Sequence, residues 1–467
     1  MRLPLWTDEL LTLFMSQQPT VSDLFTAIRE GADGQPPLYD LIVRGLRPVL
    51  VTDSLRVRLP STIGFFLMCV CVFVFVRKRL PALYAMLAAL VAVRLAWPYS
   101  FEGRAYGIVL GCVSLALVCW QAAVQTGSMR AHAGLTLSLA CAIAFHYFAV
   151  FVVCGFLAAG SIRWWKLRKI EFRLLTALIL PLMIIPLHLP FIRASQPFQK
   201  YFWSKAKLST LYSYYLETLS PLAVVILLSA LCALFVVAWR IRRPQLPVLA
   251  DYPLWTDEWI VGLGLVILPG VVIVTTLLTS QAFIDRYVLW SAIGVGVCLA
   301  LALHKLVHGN RSVAVVVVLP LLLWCMETAF KAAIEPPRFR YAGDLPLVIQ
   351  NIPSEPKPVV ITYDHAFMEL WFYSRPDLQQ RLVYLIDQDL ERRYAHTDTT
   401  SRIFSPLRRR VPVGVVDFDS FIAMHSRFLL AGGHSNWIVA HLHQLNYRFE
   451  LLKDGGDNKV YEVSAPY

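Results

Sequence analysis

A chain that repeats an apolar run of membrane-spanning length again and again has few folds open to it. A helix that crosses the hydrocarbon core needs roughly 20 apolar residues. Residues 58–76, 82–98, 105–124, 174–192, 221–239, 260–279, 287–304 and 312–330 each fit that length, while 131–162 is too long for one helix and short for two. Within lipid, backbone polar groups must be satisfied inside the segment, so such runs fold as helices. The balance of residues agrees: 57% are hydrophobic and only 16% charged, where soluble domains carry about a quarter. The net charge of +12 does not point to nucleic acid. Its basic residues gather at the ends of apolar runs, where they anchor to headgroups and set orientation.

Loop charge decides the ambiguous run. Arg77-Lys78-Arg79, the stretch from Arg163 to Arg173, and Arg240-Ile241-Arg242-Arg243 are densely basic, and such links prefer the cytoplasm. Between the first two the chain must cross an even number of times, so 131–162 crosses twice. The break is expected near His146-Tyr147, at an extracytoplasmic tip. Residues 1–57, 99–104, 193–220, 280–286 and 335–467 then face outward. No span and no cleavable signal precedes the outward segment 1–57, so the expectation is that a first transmembrane helix is missing ahead of Met1.

After Pro336-Pro337 the composition changes, and 335–467 reads as a small soluble α/β domain. Pro358 to Tyr363 and Arg381 to Asp387 are short apolar runs bounded by turn residues, as buried strands are. Residues 435–446 have helical spacing, with Trp437, Ile438, His441 and Leu445 on one face. Arg448 to Val463 reads as a hairpin turning at Asp454-Gly455-Gly456-Asp457. All nine cysteines lie within the apolar runs, where they behave as small hydrophobes and indicate neither disulfides nor a thiol site. The division expected is thus a first outer loop, 1–57, a transmembrane region, 58–331, and an extracytoplasmic domain, 335–467.

Four outward clusters could carry chemistry. They are Asp8-Glu9, Gln35-Pro36-Pro37-Leu38-Tyr39, the run Tyr99-Ser100-Phe101-Glu102-Gly103-Arg104-Ala105-Tyr106, and Phe283-Ile284-Asp285-Arg286-Tyr287. Carboxylates and arginines in short outer loops suit transfer of a group from a phosphate leaving group. A carboxylate can act as base toward an incoming hydroxyl. Arginine matches phosphate geometry and neutralises the charge that builds as the bond breaks.

These clusters, in this order, resemble the membrane-embedded GT-C glycosyltransferases, in the branch of the protein mannosyltransferases and the aminoarabinose and Rgt-type sugar transferases. The matching signatures are the acid pair, the later Pro-Pro-Leu-Tyr, Arg58-Leu59-Pro60-Ser61 leading into the next helix, the Tyr99–Tyr106 run, and Arg286-Tyr287. They span roughly residues 1–330. Each is weak alone; five in order are fairly specific. The resemblance implies a polytopic helical protein of about ten transmembrane helices, in a bacterial inner membrane. It implies an inverting hexosyl- or pentosyltransferase that takes a sugar from a polyprenyl-phosphate carrier to a lipid, glycan or protein acceptor on the outer face. By the same analogy Asp8 is the base, and Glu9 supports it or orients the acceptor. Glu102 and Arg104 sit across the cavity, Arg286 contacts the carrier phosphate, and Tyr106 and Tyr287 line the site with Tyr39. Relatives often have Lys or His before the Pro-Pro. Gln35 stands there instead, able to donate to phosphate but bringing no charge. No cofactor is assigned, and a divalent cation is left open.

Blander roles compete. Asp8-Glu9 could cap a helix. Arg104 and Arg286 could be interface snorkellers, and for Arg94, inside an apolar run, snorkelling or a helix–helix hydrogen bond is preferred. His146 either lines the cavity or satisfies a buried carbonyl. Pro253-Leu254-Trp255-Thr256-Asp257-Glu258 repeats Pro4 to Glu9 on the cytoplasmic side, where it reads as an interfacial Trp with flanking acids. His434, His441 and His443 are not a metal set, because 443 leaves the face shared by the other two. Gly107 and Gly111 have the spacing of close helix packing. The competing function is a transporter or flippase of lipid-linked sugars, which would show paired repeats or broken mid-membrane helices.

Overall fold

In the computed structural model the run 131–162 is two helices, and His146 is the break between them. The structure describes residues 3–242, 257–350, 357–433, 436–456 and 458–466. The chain divides into two units. Unit 1 gathers Met1–Val57, Pro190–Ser204 and Pro336–Tyr467, and unit 2 gathers Arg58–Leu189 and Lys205–Glu335.

The residues read as a first outer loop hold three short helices, α1 (Thr7–Ser16), α2 (Val21–Arg29) and α3 (Leu38–Gly45). The apolar runs then form α4 (Asp53–Arg77), α5 (Ala82–Ala96), α6 (Tyr106–Thr126), α7 (Met129–Phe145) and α8 (Val150–Leu167). Next come α9 (Phe172–Ile179) and α10 (Ile185–Lys200), joined through a 3₁₀ turn at Pro181. A 3₁₀ turn at Pro221 likewise joins α11 (Leu208–Leu219) to α12 (Ala223–Arg242). The set ends with α13 (Asp257–Leu278), α14 (Ser291–Leu306) and α15 (Arg311–Ile334). Among the described residues, eight helical segments are long and apolar enough to cross a membrane, and α7 and α14 are shorter apolar helices. This is a multi-pass helical membrane protein.

In unit 2, glycines set how close the helices come. A Cβ on Gly107 would lie 2.2 Å from the Ser61 carbonyl oxygen, and one on Gly64 would lie 2.2 Å from the Ile108 Cα. The Gly107 N–H donates to Ser61 Oγ at 3.0 Å. The Ser of Arg58-Leu59-Pro60-Ser61 therefore fastens α4 to α6 where no larger residue than glycine fits opposite. Arg94 meets a neighbouring helix through a ring face, and among the described residues no hydrogen bond from it to another helix is seen. Its guanidinium lies 3.9 Å from the centroid of the Trp324 ring, since a charge that cannot be shed can be met by a π face.

The end of unit 2 that carries the basic links is held by ion pairs. Asp257 and Glu258 open α13: Arg163 donates to Asp257 at 2.8 Å, and Arg79 to the buried Glu258 at 2.6 Å. Gln121 also donates to Glu258, at 3.1 Å. The second copy of the acid pair thus ties helices together and is more than a flank to an interfacial Trp. The remainder of that copy, Pro253 to Thr256, and Arg243 fall outside the described residues.

Unit 1 contains a six-stranded sheet. Its strands are β1 (Val359–Ile361), β2 (Leu382–Ile386), β3 (Val415–Asp417), β4 (Arg427–Gly432), β5 (Arg448–Gly455) and β6 (Asn458–Ser464). The order is β3-β2-β1-β4-β6-β5, with the first four parallel and β6 antiparallel to both neighbours. Every residue of β1 and β2 is buried, as parallel strands covered on both faces require. The helices of this part are α16 (Leu345–Gln350), α17 (Asp364–Tyr373), α18 (Pro376–Gln379), α19 (Gln388–Ala395), α20 (Thr399–Leu407), α21 (Phe418–Met424) and α22 (Trp437–Gln444). The buried face of α22 is Trp437, Ile438, Val439 and Leu442. Leu445 is exposed, because the helix ends before it. His434 and Asp457 lie outside the described residues.

The other members of unit 1 pack on this domain. Arg410 pairs with Glu30 at 2.8 Å. The Phe25 and Phe191 rings are 5.8 Å apart, and the Arg392 guanidinium lies 4.9 Å from the Tyr201 ring centroid. Glu391, on α19, is almost wholly buried and accepts from the N–H groups of Thr400 and Ser401 at the start of α20.

Two consequences are measurable. Replacing Gly107 by Leu forces α4 and α6 apart and costs on the order of 1–3 kcal/mol or more. Ser61→Ala costs about 1 kcal/mol, both read from thermal unfolding in detergent. Burial pushes the Glu391 carboxyl up to about 7, so its proton is held more tightly in the fold than in the open chain. The stability tied to that proton is complete below the ordinary carboxyl range and is lost as pH rises toward about 7, by at most about 3 kcal/mol. Glu391→Gln should flatten that slope while costing about 1 kcal/mol at acid pH. An unchanged slope would contradict the assignment.

Candidate functional site

In unit 2 the residues picked out by the sequence meet at the end opposite the basic links, around the break at His146. The break has a local cause. His146 adopts extended backbone (φ −153°, ψ 123°) after α7 and gives way to a 3₁₀ turn over Tyr147–Ala149 that leads into α8. Its ring is thereby turned toward two other links. The Tyr106 ring, at the start of α6, lies 5.7 Å from it, and the Tyr287 ring, between α13 and α14, lies 5.3 Å from it. Tyr287 also stacks on Phe148 at 4.8 Å. The Arg286 guanidinium lies 5.5 Å from the Tyr106 ring centroid.

The field at this cluster is positive. Burial first, then the charges of Arg286 and Arg104, push the His146 ring down to about 3. It is therefore neutral through the physiological range, able to donate from one ring nitrogen and accept at the other. Its Nδ1 is buried and has no hydrogen-bond partner among the described residues. Glu102, Arg104 and Tyr106 are all at least nine-tenths buried. Tyr106, His146, Arg286 and Tyr287 are thus joined by ring and guanidinium contacts, with Arg104 near enough to act on His146 through its charge. Burial of Arg104 also argues against a snorkelling role for it.

In unit 1 the acid pair opens α1. Glu9 is buried and turns back to accept from the Trp6 N–H at 3.3 Å. It is the N3 carboxylate of a helix start. The capping role considered for the pair falls to Glu9, while Asp8 is the less buried member. Further along, Asp33 accepts from the Gln35 N–H at 3.2 Å, setting the turn into Pro36-Pro37. The Tyr39 hydroxyl donates to the Val57 carbonyl at 2.7 Å and so ties α3 to the start of α4. Among the described residues, no group of three or more His, Cys, Asp or Glu is placed to hold a metal ion. His441 and His443 pack instead against Phe418 and Phe449.

Sequence reasoning missed Trp6, Arg340, Tyr341 and His365. Arg340 lies 4.5 Å from the centroid of the Trp6 ring, and the Tyr341 and His365 rings stack at 4.5 Å. No local pattern could have paired them, since Trp6 and His365 stand more than 350 positions apart in the chain. The one sequence signal was the Trp beside the acids.

No protein-family model matches the chain, and no curated protein matches it. Among solved structures it is similar to ArnT from Cupriavidus metallidurans bound to undecaprenyl phosphate, with a TM-score of 0.45 and 13% identity over 99% of this chain and 94% of that one. It is also similar to ArnT from the same organism in the apo state, with a TM-score of 0.42 and 11% identity over the same shares of each chain. The likeness is distant and assigns no residue a role.

Proposed function

We propose that this protein is a glycosyltransferase that moves a sugar from a polyprenyl-phosphate carrier to an acceptor on the outer face of the membrane. The observation that carries this is the cluster around His146. Two arginines, a neutral histidine with a buried unmet nitrogen, and two tyrosines converge at one end of a membrane bundle. A phosphate diester at the head of a lipid fits such a place. Arg286 and Arg104 supply charge-assisted hydrogen bonds to its oxygens. His146 can donate a further bond without adding a third charge.

The same groups favour the reaction, not only binding. As the sugar leaves, negative charge grows on the carrier phosphate, and fixed cations in a low dielectric stabilise it. Asp8 is the base that accepts the acceptor's proton, with Glu9 held as the cap that fixes the first turn of α1. Glu102, buried beside Arg104 in sequence, balances part of the arginine charge. The acceptor hydroxyl or amine forms the new bond to the sugar's anomeric carbon, the bond to phosphate breaks, and its electron pair stays on the carrier. A single displacement of this kind inverts the anomeric centre.

The transporter or flippase reading has one point in its favour. Two membrane segments are interrupted, at Pro181 and Pro221. Prolines account for both, and no paired repeat accompanies them among the described residues.

Membranes supplied with undecaprenyl phosphate carrying radiolabelled mannose or aminoarabinose test the proposal. Asp8→Asn should lower transfer by about 10²-fold or more while leaving protein level unchanged. Wild-type transfer by that variant would remove Asp8 as base. Movement of labelled lipid across vesicles, with no transfer to any acceptor, would favour the flippase.

A further inference from the structure

The first turn of α1 is fixed by the C-terminal sheet domain through a short set of contacts. The Leu5 N–H donates to the Tyr373 hydroxyl at 2.7 Å, and Thr7 Oγ1 donates to the His365 carbonyl at 3.4 Å. Between them Trp6, almost wholly buried, has its ring 6.0 Å from that of His365 and 5.7 Å from that of Tyr341. Farther along α1, Phe14 meets Trp371 and Phe372 at 6.2 and 6.0 Å. Helix α1 therefore runs along α17, its start at His365 and its later turns at the helix end.

The stack that receives Trp6 is itself built. Glu369 lies one turn after His365 on α17 and is fully buried. Its Oε2 accepts from the N–H groups of Tyr341 and Ala342 at 3.0 and 2.8 Å. That holds Tyr341 flat on His365, with ring planes 24° apart. The contacts with His365, Tyr341 and the Tyr373 hydroxyl fall on residues 5 to 7, immediately ahead of Asp8. A helix as short as α1, ten residues, is marginal alone, so its placement comes from what it packs against.

We propose that His365, with Tyr341 and Tyr373, is a positioning residue for Asp8, and that the C-terminal domain serves the transfer step through this clamp. The inference rests on Asp8 being the base. An error of about 1 Å in a reacting group can cost about 10²-fold, so a buried aromatic clamp on Trp6, just ahead of Asp8, has a direct kinetic meaning.

The test uses the full-length protein in detergent or membranes. Hydrogen exchange needs no substrate. His365→Ala should speed exchange of the α1 amides, while strands β1 and β2 keep theirs and report an intact domain. His365→Phe, which preserves a ring, should restore protection. Tyr373→Phe, losing only a hydroxyl, should loosen the start of α1 more mildly. With the undecaprenyl-phosphate-linked sugar that the wild type uses, His365→Ala should lower kcat about tenfold and leave KM for the lipid within about twofold. His365→Phe should recover most of the rate. In an Asp8→Asn background, His365→Ala should add no further loss. Unchanged α1 exchange and unchanged kcat in His365→Ala would overturn the clamp. Full activity of Asp8→Asn would instead remove the base, and the exchange data would still decide whether the clamp holds α1.

Discussion

Burial and the charges of Arg104 and Arg286 keep His146 from holding a second proton, and its pKa falls to about 3. A neutral imidazole between two cations is a stable arrangement; a charged one would add a third positive charge in a poor solvent for charge. The same field that empties the histidine favours an anion. The break between α7 and α8 exists to present this ring, and Tyr106 and Tyr287 from two other links close around it. At the opposite end of the same bundle, acids at the start of α13 hold arginines from other links. There Arg79 and Arg163 meet Glu258 and Asp257 in direct ion pairs.

That contrast explains why one motif occurs twice with two uses. In the copy at α13 both acids pair with arginines and join helices. In the copy at α1 one acid is spent on the helix start and the other is less buried. The letters Trp-Thr-Asp-Glu are equal in both places. What differs is the use to which the acids are put, a property of topology rather than of local sequence.

Much of the membrane region was legible because its signals are local. Each apolar run became a helix, and the parity of the basic links placed the break at His146 before any contact was known. The buried strands β1 and β2 were equally plain, as unbroken apolar runs between turn residues. Three-residue β3 and the strand β4 are not foreseen: β3 is too short to show a period, and its place in the sheet comes from pairing with β2. Of the helices in 1–57, α2 is not foreseen, while α1 is offered only as a capping alternative for Asp8-Glu9; both are short, and their stability comes from packing. The docking of Trp6 on His365 and Tyr341 joins residues far apart in the chain, and nothing local pairs them. Arg94 shows the same limit, because its partner Trp324 lies on a helix far along the sequence.

The central claim is that the cluster around His146 takes a lipid phosphate. Undecaprenyl phosphate, the carrier of the proposed reaction, is a suitable probe, titrated into purified protein and followed by its phosphorus resonance. Wild type should bind it with a shifted resonance. Arg286→Ala and Arg104→Ala should each weaken binding about tenfold or more, as loss of a charge-assisted hydrogen bond does, with the fold unchanged by thermal unfolding. Equal affinity in wild type and both variants would contradict the claim.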